Sequence, residues 1–501
     1  MSDPLELERP DLFHARARGD GTVATEGPNE RVIGRQVRHP REGDRPDGVW
    51  VRWVWRDGTL TVTNDRHGYL PLYYMAAGDE VCVSPSLMDV VRRTGRRIWN
   101  PLALGLFVRI GSFLGDETLF RDVRLLPPNG TLTWRPGNPK VTASRRAVAA
   151  EPLERDAAMD GFIDLVRVAV RRRLPRGDEP AWMPLSGGRD SRHLLFELHL
   201  AGVRPRCMSA RYRPPGLAED ANVAGAVCAA LGLDHEVLDV PPDWLTLERR
   251  KNLLLGFTSA AHYWFLPLAE RMTAGGGVAY DGIGGDILSS GHTIFPDIMA
   301  HFEAGRYEAI ARGWFDPGNE RFLRRLLRRD VLAAMPLEAA VARVTEELAA
   351  HSAMPNPIAS YHMEARTRHG ITVTQYGYLR RLNAVLSPYL DVELYDYLSA
   401  IPWRLFADQR FHSDAIARAF PRFNHVRYAV KGATEARGAE AEFRRMARQM
   451  LAYLAMQPAS SVVKVPYLSA LMLRSWLRGS SVTPLPLFLL QIERDGGIEV
   501  A

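Results

Sequence analysis

Residues 181–185 form a short apolar run that passes directly into Ser186-Gly187-Gly188-Arg189-Asp190-Ser191-Arg192, followed by a helix-like segment at 193–200 with Gly202 as its stop. A strand, a glycine turn and a helix in that order make the first half of a βαβ unit, and such units build parallel sheets covered by helices. The neighbouring segments repeat the alternation. Phe162, Leu165, Val166, Ala169 and Val170 fall on one face of a helix that ends before Pro175. Residues 206–212 and 235–240 read as strands on either side of a helix at 219–231. The expectation is an α/β fold with a doubly wound parallel sheet, mainly helical beyond about residue 300 and irregular from Gly479 onward.

Upstream the pattern is different. Between residues 49 and 135, runs rich in Val, Trp, Tyr and Thr are separated by turn residues such as Asp57-Gly58, which predicts antiparallel hairpins. At 501 residues, with 46% apolar and 24% charged content, the chain is long enough for two or three domains with real cores, and disorder is excluded. No run approaches the ~18 apolar residues of a membrane span. Met1-Ser2-Asp3-Pro4 opens no apolar signal core, so a cytoplasmic protein without a membrane partner is expected. Cys82, Cys207 and Cys228 have the spacing of neither a disulfide framework nor a zinc site.

The net charge of +6 is not concentrated in one block, and the short arginine clusters at 171–173 and 324–329 read as solvated helix faces. Nucleic acid is therefore not an expected partner. Of 64 basic residues only Lys140, Lys251, Lys431 and Lys464 are lysines, which makes each of them worth placing.

In a doubly wound sheet a ligand lies at the carboxyl ends of the strands, where the strand order reverses. The loop at 186–191 has two glycines that let backbone approach a ligand, successive N–H groups, and a helix N-terminus behind it, which together suit pyrophosphate. The glycines alone would favour a plain turn with Ser186 or Ser191 as helix cap, and it is the whole string after a strand that shifts the reading. Asp190 in an anion-binding loop makes sense as a magnesium ligand facing phosphate oxygens.

The string Leu185 to Ser191, LSGGRDS, resembles the pyrophosphate-binding motif of the asparagine synthetase-like ATP-pyrophosphatases, which activate a carboxylate as an acyl-adenylate. Asp281-Gly282-Ile283-Gly284-Gly285-Asp286, with Gly291 after it, resembles the family's second motif, GxGxDxxxxG. The resemblance implies ATP and Mg²⁺ as cofactors, with nucleotide binding at Leu185, Ser186, Gly187, Gly188, Asp190, Ser191, Gly282, Gly284 and Gly285. It makes Asp190 and Asp286 the metal ligands and Lys431, in Lys431-Gly432, the catalytic cation that stabilises negative charge. Ser387-Pro388-Tyr389-Leu390-Asp391 is similar to the family's PFLD segment, and Ile401-Pro402 to the "lP" after it.

Asn64-Asp65-Arg66-His67-Gly68, Pro71-Leu72-Tyr73-Tyr74 and Leu126-Pro127-Pro128-Asn129-Gly130 resemble the same family's glutaminase domain, an Ntn-hydrolase-like fold. The implied division is 1–145, glutaminase-like, and 146–501, ligase. A glutaminase needs a cysteine as first residue of the mature chain. This chain begins Met1-Ser2 and its first cysteine is Cys82, so the domain is expected to be an inactive remnant with His67 a residue of the fold.

Family members differ in how the attacking amine is supplied. Asparagine synthetases carry a glutamate, and β-lactam synthetases a tyrosine, where this chain has Ile283, which can neither accept a proton nor bind ammonium. The glutamate that usually precedes PFLD falls near Ala384. The subfamily most similar is the lasso peptide cyclases, in which a precursor peptide supplies both an Asp or Glu carboxylate and its own N-terminal amine. That resemblance implies a precursor peptide as substrate, with a leader-peptide-binding protein and a leader protease as partners. Tyr361, His362, Glu364 and His369 form a pool of candidate bases, each also readable as part of a solvated helix face. A small-molecule amide ligase and a non-catalytic peptide- or nucleotide-binding scaffold are the alternatives.

Overall fold

Asp57 and Gly58 join the strands Asp47–Arg56 and Thr59–Asn64, and both have positive φ, 50° and 68°. Two left-handed residues in succession give the tight turn whose twist matches a hairpin. The computed structural model describes residues 11–39, 45–144, 148–211, 218–429, 439–457 and 459–498. Two five-stranded sheets occupy the amino-terminal third. One runs Val23–Glu26, Phe13–Ala17, Glu80–Ser84, Tyr73–Ala77, Arg124–Leu125; the other runs Asn138–Thr142, Thr131–Arg135, Thr59–Asn64, Asp47–Arg56, Glu30–Val37. All neighbours in both are antiparallel. Their inner faces meet through Phe13 and Trp55, whose rings lie 5.7 Å apart, beside the fully buried Trp53 and Trp134.

The third sheet is parallel throughout, in the order His235–Asp239, Arg206–Arg211, Ala181–Pro184, Val278–Tyr280, Ala384–Leu386. In chain order this is 3-2-1-4-5, so the order reverses between Ala181–Pro184 and Val278–Tyr280. The first three strands coincide with the expected segments to within a residue. The last two have three residues each and are wholly buried, too short for any periodicity to reveal. The helices Asp190–Leu200 and Ala218–Leu231 follow the first two strands, and the chain beyond 300 is chiefly helical.

Two expectations are corrected. Residues from Gly479 onward are not irregular throughout: Leu485–Arg494 is a helix, opened by proline at its first turn, where no N–H partner is needed. Its buried Phe488 stacks on Phe107 of the amino-terminal part, 4.6 Å between ring centroids, and its Gln491 accepts a hydrogen bond from Asn252. The cluster at 171–173 is not a solvated face either. Arg173 is buried and joins Asp47 (2.5 Å), on an amino-terminal strand, to Asp391 (2.6 Å), while Arg172 pairs with Asp391 and Glu393. Burial works against ionising Asp391, yet the two arginines outweigh it and hold its carboxyl below the usual range.

Arg368 makes a second seam between the two parts. Its buried guanidinium donates to the carbonyls of Gly68, Gly115 and Leu126 at 3.3, 2.8 and 2.6 Å. It stands in a nine-residue π-helix, Met363–Ile371. Among the described residues no helix is long and apolar enough to cross a membrane.

Candidate active site

The two motif loops leave adjacent strands at the reversal point: 185–189 follows Ala181–Pro184, and 281–284 follows Val278–Tyr280. Each ends in a helix, Asp190–Leu200 and Gly285–Ser289, and no side chain caps either N-terminus. The loops touch so closely that only glycine fits between them. A Cβ on Gly285 would lie 2.9 Å from Asp190 Cγ and 2.8 Å from the ring of Tyr389. Gly282 lies against Asp190 Cβ, and Gly284 turns the chain with φ of 88°.

The first loop is held in shape by its own polar atoms. Ser191 Oγ accepts from the Ser186 N–H at 3.2 Å, and Ser186 Oγ accepts from the Gly188 N–H at 3.2 Å. Asp220 Oδ1, from the next helix, accepts from the Gly187 N–H at 3.0 Å. Leu185 is tied down through Met208, whose carbonyl takes its N–H, and through Ser209 Oγ, which donates to its carbonyl. The three successive N–H groups at 186–188 therefore point to side chains, so the outward-facing anion nest expected from the glycines is not the arrangement here. The uncapped first turn at Asp190 is the open electropositive end.

Asp190 is the least satisfied group of the site. Among the described residues its Oδ1 is enclosed and has no hydrogen-bond partner, although 23% of the side chain stays open. Burial and then the charge of Asp286 hold its carboxyl well above the usual carboxylate range, against the pull of the Asp286 N–H and Arg189. Asp286 keeps 53% of its side chain exposed. Asp281, behind it, is pushed up to about 6 by burial despite accepting from the Ile283 N–H at 2.8 Å.

Beneath these carboxylates lies a cluster that the sequence did not advertise. His412 is fully buried; its Nδ1 is 2.9 Å from Ser289 Oγ and 3.4 Å from Asp190 Oδ1. Its Nε2 is 3.2 Å from His193 Nδ1 and 3.3 Å from the Tyr389 hydroxyl. Burial, followed by His193 and Arg189, drives His412 well below the ordinary histidine range, so it is neutral and cannot balance Asp190. Two crowded carboxylates and no compensating imidazolium fit a divalent cation, whose charge would reverse the unfavourable ionisation. His292, next to the motif glycine Gly291, brings Nε2 to 3.8 Å from Asp286 Oδ2 and was also missed, since a lone histidine after a motif carries no pattern of its own.

The candidate base pool is scattered rather than gathered, and it is not a solvated face. Tyr361 is buried against Trp314 and His351, and His369 is buried between Arg368 and the Gly115 carbonyl. Glu364 lines a separate cavity of about 330 Å³ with Arg66, His67, Tyr395 and Asp396. His362 stacks near Trp314 and is lowered to about 3 by burial, Arg366 and His292. Ile283 is buried. Lys431 and Gly432 lie outside the described residues. Of the other lysines, Lys251 is buried on Glu248 (2.6 Å), Lys464 donates to the Arg324 carbonyl, and Lys140 lies on an exposed strand.

His67 is buried, with one edge on the cavity that Glu364 lines. Its Nε2 donates to the Leu390 carbonyl at 3.2 Å, its ring packs tilted against Tyr395, and burial holds it well below the ordinary range. Cys82 is buried in a strand and its thiol is pushed up by burial. Two further groups of histidine and carboxylates already have arginine counter-ions: His39, Asp391 and Glu393 with Arg172, and Glu347, His351 and Glu364 with Arg343.

Comparison with curated proteins finds no significant match. The family model described as asparagine synthase matches residues 161–480, which span both motif loops and the parallel sheet. The chain belongs to the asparagine synthase family, and is thereby an ATP-dependent amide ligase of the asparagine synthetase-like kind.

Proposed function

We propose that this ligase adenylates a carboxylate, releases pyrophosphate and joins the acyl group to an amine supplied by the same substrate, closing a macrolactam in a lasso precursor peptide. The observation that carries the adenylation is the unpartnered Asp190 Oδ1 beside Asp286 at the strand reversal. Asp190 and Asp286 would hold Mg²⁺, and the loop at 186–191, through its uncapped first turn, with Gly282, Gly284 and Gly285, would receive the phosphates. Magnesium-bound ATP supplies the adenylyl group and a neutralised leaving group.

The chain's own residues set the geometry. The helix beginning at Asp190 would present its uncapped, positive end to the phosphates. His412, Ser289 and Tyr389 brace Asp190 from below. Lys431 stabilises charge on the adenylate and on the tetrahedral intermediate. The buried, apolar Ile283 neither binds ammonium nor takes a proton, which favours an amine that arrives neutral on the substrate, an α-amino group losing its proton near pH 8. A leader-peptide-binding protein and a leader protease are the partners this reading entails, in the cytoplasm.

The test is Mg²⁺-dependent exchange of labelled pyrophosphate into ATP, with candidate precursor peptides as acyl donors. Exchange together with a peptide product lighter by one water supports the proposal. Asparagine formation from aspartate with ammonia or glutamine would replace it with the small-molecule reading. Failure to bind ATP at all would leave a scaffold.

A further inference from the structure

Arg192 sits in the first turn of the helix that follows the glycine loop, yet its side chain serves neither the loop nor a carboxylate. It is 2% exposed. Nη1 donates to the Val426 carbonyl and Nη2 to the Arg427 carbonyl, both at 2.7 Å, and the guanidinium carbon lies 4.1 Å from the centroid of the Tyr428 ring. A planar fork that grips two successive carbonyls and stacks on the next side chain is a use of arginine that lysine cannot copy. The same stretch is fastened to the loop itself. The Ala429 N–H donates to the Gly187 carbonyl at 3.1 Å, and Ala429 Cβ lies so close that a Cβ on Gly187 would come within 2.4 Å of it. Gly187 is thus held on both sides, its N–H by Asp220 and its carbonyl by Ala429. Arg427 also faces Glu219 at 3.7 Å, next to Asp220.

These contacts make a joint of three elements: the glycine loop, the start of the helix Ala218–Leu231, and residues 426–429, which lead in sequence to Lys431. We propose that Arg192 is the positioning residue of this joint, making the 426–429 segment dock on the loop so that a nucleotide held by the loop also orders the stretch leading to the lysine. This rests on the reading of 186–191 as the nucleotide loop. A loop that shifts to accept phosphates moves the Gly187 carbonyl, and with it Ala429. Arg192 passes the movement on because its own backbone belongs to the helix that the phosphates face.

Hydrogen–deuterium exchange of the full chain, with and without Mg²⁺ and α,β-methylene-ATP, tests it. In the wild-type protein the nucleotide should slow exchange at both 186–191 and 426–429. In Arg192→Ala and Arg192→Lys it should still slow exchange at 186–191, with affinity unchanged within about threefold, but the 426–429 amides should exchange about tenfold faster and gain no protection. Tyr428→Phe, which keeps the ring face and loses only the hydroxyl beside Arg192, should retain nucleotide protection at 426–429. Equal nucleotide protection of 426–429 in Arg192→Ala and wild type would overturn the proposal. So would nucleotide protection at 186–191 in the wild type without any at 426–429. If the wild-type loop shows no response to nucleotide, it is the ligase reading of the site that fails, and the Arg192 proposal falls with it.

Discussion

Two motifs of this chain, each built around an aspartate, have opposite fates. Asp65, in the amino-terminal motif, accepts the N–H groups of Trp50, His67 and Gly68, while its neighbour Asn64 bonds the Pro127 carbonyl and the Gly130 N–H. Asp65 thus closes its own turn and ties it to the strand Asp47–Arg56, and Asn64 ties it to the turn at 127–130. Asp190, in the glycine loop, leaves an enclosed oxygen unbonded beside a second carboxylate. A satisfied carboxylate makes structure, whereas a crowded and unsatisfied one is costly to keep and suits a ligand that is not part of the chain. Both motifs resemble a family pattern, and burial raises both carboxyls, but Asp65 spends its oxygens on three backbone N–H groups whereas Asp190 faces a second carboxylate.

The comparison can be broken most severely at Asp190. Asp190→Ala should reduce pyrophosphate exchange by roughly 10³-fold or more, about 4 kcal/mol, with no loss of thermal stability because it relieves carboxylate crowding. Asp65→Asn should do the reverse, losing about 1–3 kcal/mol in a urea titration by leaving the Trp50 N–H facing an amide donor, while folded molecules keep wild-type exchange activity. If Asp190→Ala instead unfolds the protein, or Asp65→Asn abolishes chemistry in folded protein, the contrast fails. A smaller effect is expected from Gly285→Ala. The added Cβ meets Asp190 and Tyr389 at under 3 Å, and displacement of the carboxylate should lower exchange by about 10²-fold.

The smallest effect sharpens the contrast through pH. Asp281 is raised to about 6, so the folded chain holds this proton more tightly than the unfolded one. Its contribution to stability is therefore fully present below about pH 4 and is lost as pH rises to about 6, flat thereafter. Asp281→Asn should flatten that part of the profile and add about 1 kcal/mol at pH 7, less than the full shift implies because the residue is only half-buried. A steeper profile in the variant, measured by denaturant midpoints between pH 4 and 7, would show that the carboxylate is not held against its charge.

The sequence made the strands at 181–184, 206–211 and 235–239 legible because each is bounded by turn residues and followed by a clear helical or loop signal. The motif carboxylates Asp190 and Asp286 were legible as types in a spacing. His412 was not, because it reaches the site from 222 positions away along the chain and owes its role to burial beneath Asp190. Arg173 misled for a related reason: an arginine triplet looks solvated until Asp47 and Asp391 arrive from distant segments to neutralise it. The prolines near 484–486 suggested irregular chain, since composition does not say whether a proline breaks a helix or opens one.

Arg368 limits how far this molecule can be trimmed. Its guanidinium finds three carbonyl acceptors in the amino-terminal part of the chain, at Gly68, Gly115 and Leu126. A fragment lacking that part would strip the guanidinium of these three carbonyls, in the middle of the π-helix Met363–Ile371. The amino-terminal part thus supplies the surface against which this helix is set, and a shortened chain would have to replace that surface before it could dispense with it.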